Sequence, residues 1–235
     1  MKNSIGNLNC NDCNHSKGLF CNLSQEEKDI LSLGKGNNFY KKGQTIFYEG
    51  NHAHGIFCLT EGKIKLSKLG KDGKEQIVRF AKAGDVLGYR ALLSDDNYQA
   101  TATAMVDSHI CLIPKEKFLK IMELNTKLSL KLINLLSKDL KTAEQHLIDI
   151  AQKTVKERIA ESLLVLINTF GLLKDLKTLN ISMTRSEMAD MAGTTTESAI
   201  RTLVQLSDEK IIELDGKNIK IINLKKLELV ANIND

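Results

Sequence analysis

Two groups of residues in this chain have the types and spacing to do chemistry. Toward the C-terminus, Glu197 and Arg201 stand four residues apart, an interval that puts both side chains on one face of a helix. There an arginine fork can address guanine O6 and N7, and a glutamate can accept from the cytosine amino group. The same pair also suits a solvated helical ion pair contributing roughly a few tenths of a kcal/mol. The second group is sulfur. Cys10 and Cys13 form a C-x2-C pair, Cys21 follows, and Cys111 lies in the run SHICLIP just ahead of Pro114. A C-x2-C arm can bind zinc, with His15 or Cys21 completing the set, or close a redox-switched disulfide. Cys111 among Ile110, Leu112 and Ile113, and Cys58 between Phe57 and Leu59, equally suit small core residues.

The elements that must present Glu197 and Arg201 follow from local signals. Met188, Met191 and Ala192 recur at helical spacing behind Thr184 or Ser186 as N-cap. Gly193 suits the left-handed residue that ends such a helix. Thr194 to Thr196 offer oxygens to the free N–H groups of a second helix, whose Ala199, Ile200, Leu203 and Leu206 are expected to face inward. The hydroxyls of Thr184, Thr195, Thr196 and Ser198, with neighbouring backbone N–H groups, suit phosphate oxygens. Ile211, Ile212 and Leu214, a turn at Asp215-Gly216, then Ile219, Ile221 and Ile222 predict a hairpin. Two short helices followed at once by a hairpin describe a winged helix-turn-helix, and its partner is double-stranded DNA.

The rest of the chain sets what drives that reader. Its 235 residues suffice for one large or two modest domains, and 42% hydrophobic with 26% charged residues is a globular composition. A net charge of +4 permits a polyanionic partner without demanding one. With no apolar run of spanning length and no apolar core in MKNSIGNLNC, a cytoplasmic protein without membrane contact is expected. Paired-carboxylate, Ser-His-Asp and phosphate-loop spacings are missing, so no enzyme is expected.

Four regions are expected: a Cys-containing arm (1–23), a strand-rich sensor (24–125), a long helix (126–152) and the winged helix (153–235). Ser24 caps a short helix to Leu33. Strands are expected at Thr45–Tyr48, Ile56–Leu59, Ile64–Leu69, Gln76–Phe80 and His109–Ile113, with turns at Gly43, Gly50, Gly62, Gly73 and Gly84. Beyond Pro114, the only proline, Ile133, Leu136, Leu140, Ala143, Leu147 and Ile150 form a heptad seam. Such a seam pairs with its copy in a homodimer, and two reading helices about 34 Å apart then meet successive major grooves of a near-palindromic site.

This order of elements resembles the Crp/Fnr family of bacterial transcription regulators over nearly the whole chain. KKGQTIFYEGNHAHGIFCLTEGKIKL and KDGKEQIVRFAKAGDVLGY are similar to its β-roll, KERIAESLL to the helix leading to the reader, and MTRSEMADMAGTTTESAIRTLVQL to its helix-turn-helix. The resemblance implies an α+β fold: a double-stranded β-helix of the cyclic-nucleotide-binding type, a dimerisation helix and a C-terminal winged helix. It implies that Glu197 and Arg201 contact the inner G and C of a half-site, with Ile200 and Thr196 departing from family residues that set the flanking bases. RNA polymerase is then a further partner. Tyr89, Gln99 and Ala100 stand where the cyclic-AMP receptor has its nucleotide-binding Glu, Arg and Ser, so cyclic AMP is not expected as effector; Arg90 could meet an anion from another direction, but is expected to be solvated or salt-bridged. Fnr-type members instead hold a [4Fe-4S] cluster, which the resemblance assigns to Cys10, Cys13, Cys21 and Cys111, although Cys21 lies farther from Cys13 than in the family. Zinc, haem, a small effector, or a sensor module whose winged helix serves protein contacts remain the alternatives.

Overall fold

This computed structural model of the protein describes residues 18–232. The chain divides into two compact units, one running up to Lys68 and resuming at Val78–Asp139, the other made of Leu69–Ile77 and the chain from Leu140 onward.

The first unit opens with α1 (Gln25–Ser32). The Ser24 hydroxyl accepts from the Glu27 N–H while the Glu27 carboxylate accepts from the Ser24 N–H at 2.7 Å, a reciprocal cap. Strands β1 (Gly36–Tyr40), β2 (Thr45–Phe47), β3 (Gly55–Glu61), β4 (Lys63–Leu69), β5 (Glu75–Lys82) and β6 (Val86–Leu87) follow. After them come the short helix α2 (Tyr89–Ser94), β7 (Thr101–Ala104) and β8 (Ser108–Pro114). They form two four-stranded sheets, ordered β1-β8-β3-β6 and β2-β7-β4-β5. Ile56, Leu59, Ile64, Leu87, Ala102 and Ile110 are buried in their core.

The turn between β3 and β4 needs glycine. Gly62 has φ 120, and a Cβ there would stand 2.1 Å from Ser108 Oγ.

Strands β1 and β7 go beyond the sequence expectation. β1 (GNNFY) has little strand propensity of its own, yet it pairs residue for residue with β8 from Gly36↔Leu112 to Tyr40↔Ser108, so the ladder and not the local preference makes it a strand.

Two helices, α3 (Lys115–Leu124) and α4 (Thr126–Gln152), follow the sheets. Leu128 and Leu132 of α4 are buried in the first unit's core, and Leu135 and Leu136 pack partly against it. Four other positions on α4 stay exposed: Ile133 at 58%, Leu140 at 61%, Leu147 at 69% and Ile150 at 43%. Apart from the half-buried Leu136, therefore, the heptad seam is left uncovered by the described residues.

In the second unit come α5 (Val155–Phe170), α6 (Arg185–Ala192), α7 (Thr196–Asp208), the hairpin β9 (Ile212–Asp215) and β10 (Asn218–Ile221), and α8 (Leu224–Ala231). α8, not foreseen from sequence, buries Leu227 and Ala231 and packs along α5.

Candidate nucleic-acid interface

Capping residues define both helices of the reader. Thr184 opens α6: its hydroxyl accepts from the Glu187 N–H at 3.1 Å, and the Glu187 carboxylate accepts from the Thr184 N–H at 2.9 Å. Of the two N-cap candidates it is Thr184, not Ser186, that caps, so its hydroxyl is engaged with Glu187 before any phosphate arrives. Gly193 closes α6 in the left-handed region at φ 60, ψ 45. Thr195 opens α7, its hydroxyl accepting from the Ser198 N–H at 3.2 Å and donating to Ser198 Oγ at 3.0 Å. Thr196 and Glu197, both exposed, occupy the first turn of α7, where free backbone N–H groups and the positive end of the helix dipole attract an anion.

Arg158 of α5 ties the end of α6 to the segment that leads into α5. Its guanidinium donates to the carbonyl of Ala192 at 2.9 Å and to that of Lys153 at 2.8 Å, satisfying carbonyls that a helix end leaves without partners.

Along α7 the inward set is Ala199, Thr202, Leu203 and Leu206. This corrects one expectation: Ile200 does not face the core but is 44% exposed. Helical geometry gives the reason. With 3.6 residues per turn, positions 199, 202, 203 and 206 share one face, and 197, 200, 201 and 204 share another. Glu197, Ile200, Arg201 and Val204 thus form a continuous outward stripe. Among the described residues neither the Glu197 nor the Arg201 side chain is hydrogen-bonded or ion-paired, so the two do not neutralise each other as a solvated helical pair would.

The hairpin pairs Asp215 with Asn218 around Gly216, which has φ 57. Arg185 donates to the Gly216 carbonyl at 3.0 Å and the Met183 N–H to that of Lys217 at 3.2 Å, which ties the wing tip to the start of α6. Sequence reasoning missed Arg185 as a positioning residue and Lys217 as an exposed cation at the tip. A basic residue inside the turn was the available signal.

The sulfur group is only partly described. Cys10 and Cys13 lie outside the described residues. Cys21 is half-buried, with Lys131 Nζ 3.3 Å from its Sγ. Cys111 is buried, its Sγ donating to Asn37 Oδ1 at 3.0 Å. In the ladder Cys111 sits directly opposite Cys58, a juxtaposition that sequence spacing did not reveal. Four thiols are the right donor set for a cluster, but as they stand Cys21 and Cys111 are spent on Lys131 and Asn37. Among the described residues, no group of three or more His, Cys, Asp or Glu side chains is placed to hold a metal ion. His52 and His54 form an edge-to-face pair on an exposed loop.

The positions matched to nucleotide contacts are also occupied otherwise. Tyr89 is buried, Gln99 donates to Asp96 Oδ2 at 2.7 Å and Ala100 is buried.

Comparison with known proteins joins these two halves. Residues 37–125 match the cyclic nucleotide-binding domain family and residues 157–230 the Crp-like helix-turn-helix domain family. Electron transport regulator A of Shewanella oneidensis is 29% identical over 229 residues, covering 95% of this chain and 90% of that protein. The fumarate and nitrate reduction regulatory protein of Vibrio cholerae is 27% identical over 232 residues, covering 97% and 92%. The solved structure of FixK2 from Bradyrhizobium japonicum superposes with a TM-score of 0.76 at 26% identity, covering 86% of this chain and 99% of that one.

Proposed function

The chain belongs to the Crp/Fnr family of transcription regulators, and on that premise we propose that it binds near-palindromic promoter DNA as a homodimer. In this reading α7 of each protomer enters a major groove. Arg201 addresses guanine, Glu197 accepts from cytosine and Ile200 offers its apolar surface to a flanking base. Thr195, Thr196 and Ser198 at the start of α7 hold phosphates, Thr184 contributes through the cap it forms, and the wing tip lies along the backbone.

The observation that carries this reading is the outward stripe on α7, a continuous exposed face whose fork and acceptor are unpaired among the described residues. The uncovered α4 seam supports the dimer. RNA polymerase and a cytoplasmic location follow from the same role, and among the described residues no helix is long and apolar enough to cross a membrane. The protein acts as a switch and not as a catalyst: a change in the N-terminal domain shifts the population of dimers whose two reading helices have the spacing of the site.

For the signal we propose thiol chemistry at Cys10, Cys13, Cys21 and Cys111, with a [4Fe-4S] cluster as the form to test first. When bound, such a group supplies an oxygen- and redox-labile centre. To ligate it, Cys111 must give up Asn37 and Cys21 must give up Lys131.

Two measurements test the proposal. Duplex DNA selected by the protein from a randomised pool is expected to bind with an affinity that falls steeply as salt rises. Binding without salt dependence would remove the DNA reading and favour protein contacts. Protein purified without oxygen is expected to be brown, to contain iron and labile sulfide, and to bleach in air. A colourless product free of both would remove the cluster.

A further inference from the structure

Within the first unit, four side chains converge on one another at a point that the proposed DNA contacts and thiol chemistry do not use. Tyr89 is only 1% exposed, and its hydroxyl donates to Asp139 Oδ2. Arg79 Nη1 donates to the Tyr89 hydroxyl at 2.7 Å and to Asp139 Oδ2 at 3.2 Å. Arg90 Nη2 donates to the same oxygen at 2.7 Å. A single carboxylate oxygen therefore accepts from two guanidinium groups and a phenol.

The donors have a common origin. Arg79 lies on β5, and Tyr89 and Arg90 open α2, so all three belong to the β-roll. The Arg79 guanidinium is further fixed by the carbonyl of Val86 at 3.4 Å and by the Tyr89 ring, whose centroid is 5.6 Å away. Asp139 alone comes from the long helix α4.

Charge shows which partner is the guest. Two cations face one anion, and among the described residues neither arginine is ion-paired to any other carboxylate. Two planar forks and a phenol O–H on one side form a receptor for a carboxylate. The Tyr89 phenol is a proton donor at neutral pH, and burial raises it further above its ordinary range.

We propose that Arg79, Tyr89 and Arg90 form a carboxylate-binding site of the β-roll whose ligand is the chain's own Asp139, a tethered group that latches α4 to the sensor and that a small external carboxylate can replace. The site rests on the geometry of the first unit alone. Its effect on DNA binding rests also on the function proposed above.

The test uses the full-length Asp139→Ala variant and sodium acetate, with chloride making up constant ionic strength and acetamide as the neutral control. Thermal unfolding of the variant is expected at a lower midpoint than wild type, and acetate raises that midpoint saturably. Acetamide does not, wild type does not respond, and the double variant Arg79→Gln/Asp139→Ala loses the response. An ordinary structural ion pair would give the lowered midpoint without the rescue. Acetate acting equally on wild type and Asp139→Ala, or on neither, would overturn the proposal.

If Asp139→Ala does not fold, Asp139→Asn keeps the volume and removes the charge. It is expected to lower the midpoint, and an unchanged midpoint would likewise overturn the latch.

With selected duplex DNA, Asp139→Ala is expected to bind about fivefold or more weakly than wild type, the lower end of typical coupling between sites, and acetate restores the affinity. Weakened binding that acetate leaves untouched would refute the coupling. Because the unfolding readout contains no DNA, failure of the DNA reading would leave the acetate response in place, and failure of the latch would leave DNA binding in place.

Discussion

Arg201 and the pair Arg79 and Arg90 carry the same guanidinium in opposite circumstances. On α7 the fork is exposed and, among the described residues, unpaired, on a face shared with Glu197, Ile200 and Val204. In the β-roll both forks converge on Asp139 with the Tyr89 hydroxyl. An unpaired exposed fork leaves its recognition capacity for an outside partner, whereas a converged one spends it on internal geometry. In the functions proposed above, the difference separates two tasks: the α7 surface reads, and the β-roll cluster holds α4.

The largest effect is expected at α4, because both proposed tasks need that helix. Replacing Leu140 and Leu147 by glutamate puts charge into the exposed seam without touching either unit's core. We expect monomers by sedimentation equilibrium and a loss of DNA affinity of about 100-fold or more, since the second half-site contact then loses its tether. Dimers of wild-type stability would show that the seam is not the interface.

A reciprocal pair of substitutions sharpens the contrast. Arg201→Ala is expected to weaken binding to selected DNA by about 1–3 kcal/mol and to relax preference at one base pair, while the unfolding free energy changes by less than about 0.5 kcal/mol, as for an exposed site. Arg79→Ala is expected to do the reverse to stability, lowering it by about 1.5 kcal/mol or more because a largely buried carboxylate loses a charged donor. If Arg201→Ala leaves base preference unchanged in a binding-site selection, α7 is not the reading helix.

These regions also differ in how far the sequence revealed them. Thr184, Gly193, Thr195 and the turn at Gly216 punctuate the chain within a few residues of what they control, so helix ends and the hairpin could be read directly. Ile200 was misplaced by one step around the helix, because an apolar residue was assumed to point inward, although the i, i+3, i+4, i+7 face already held Thr202. In the β-roll the legible strands were those with their own β-branched runs. β1 and β7 take their conformation from distant partners, β8 for one and β2 and β4 for the other. The Tyr89–Asp139 contact spans 50 residues, and Cys58 meets Cys111 only through the register of β3 on β8. No local pattern encodes either one.

The smallest expected effect comes from a third circumstance, a charge satisfied by its own loop. Asp175, ahead of the wing, accepts from the N–H groups of Lys177 at 3.0 Å and Thr178 at 2.9 Å and from the Thr178 hydroxyl at 2.5 Å. Thr178 in turn bridges to Lys220 of β10, so the loop helps to seat the wing. The Thr178 hydroxyl, then the two backbone N–H groups, pull the Asp175 carboxyl from 3.8 to about 2. A carboxyl lowered in the folded state binds fewer protons than the unfolded chain, so stability from this group is complete above its ordinary value. It is lost as the pH falls from about 4 through about 2. Acid unfolding of Asp175→Asn should lack that increment, with the wild-type and variant curves converging at the acid end and separating toward neutrality. Because the carboxylate is exposed, the separation should be small and should leave DNA affinity unchanged. Parallel curves across this window would mean that the loop is held by its backbone alone.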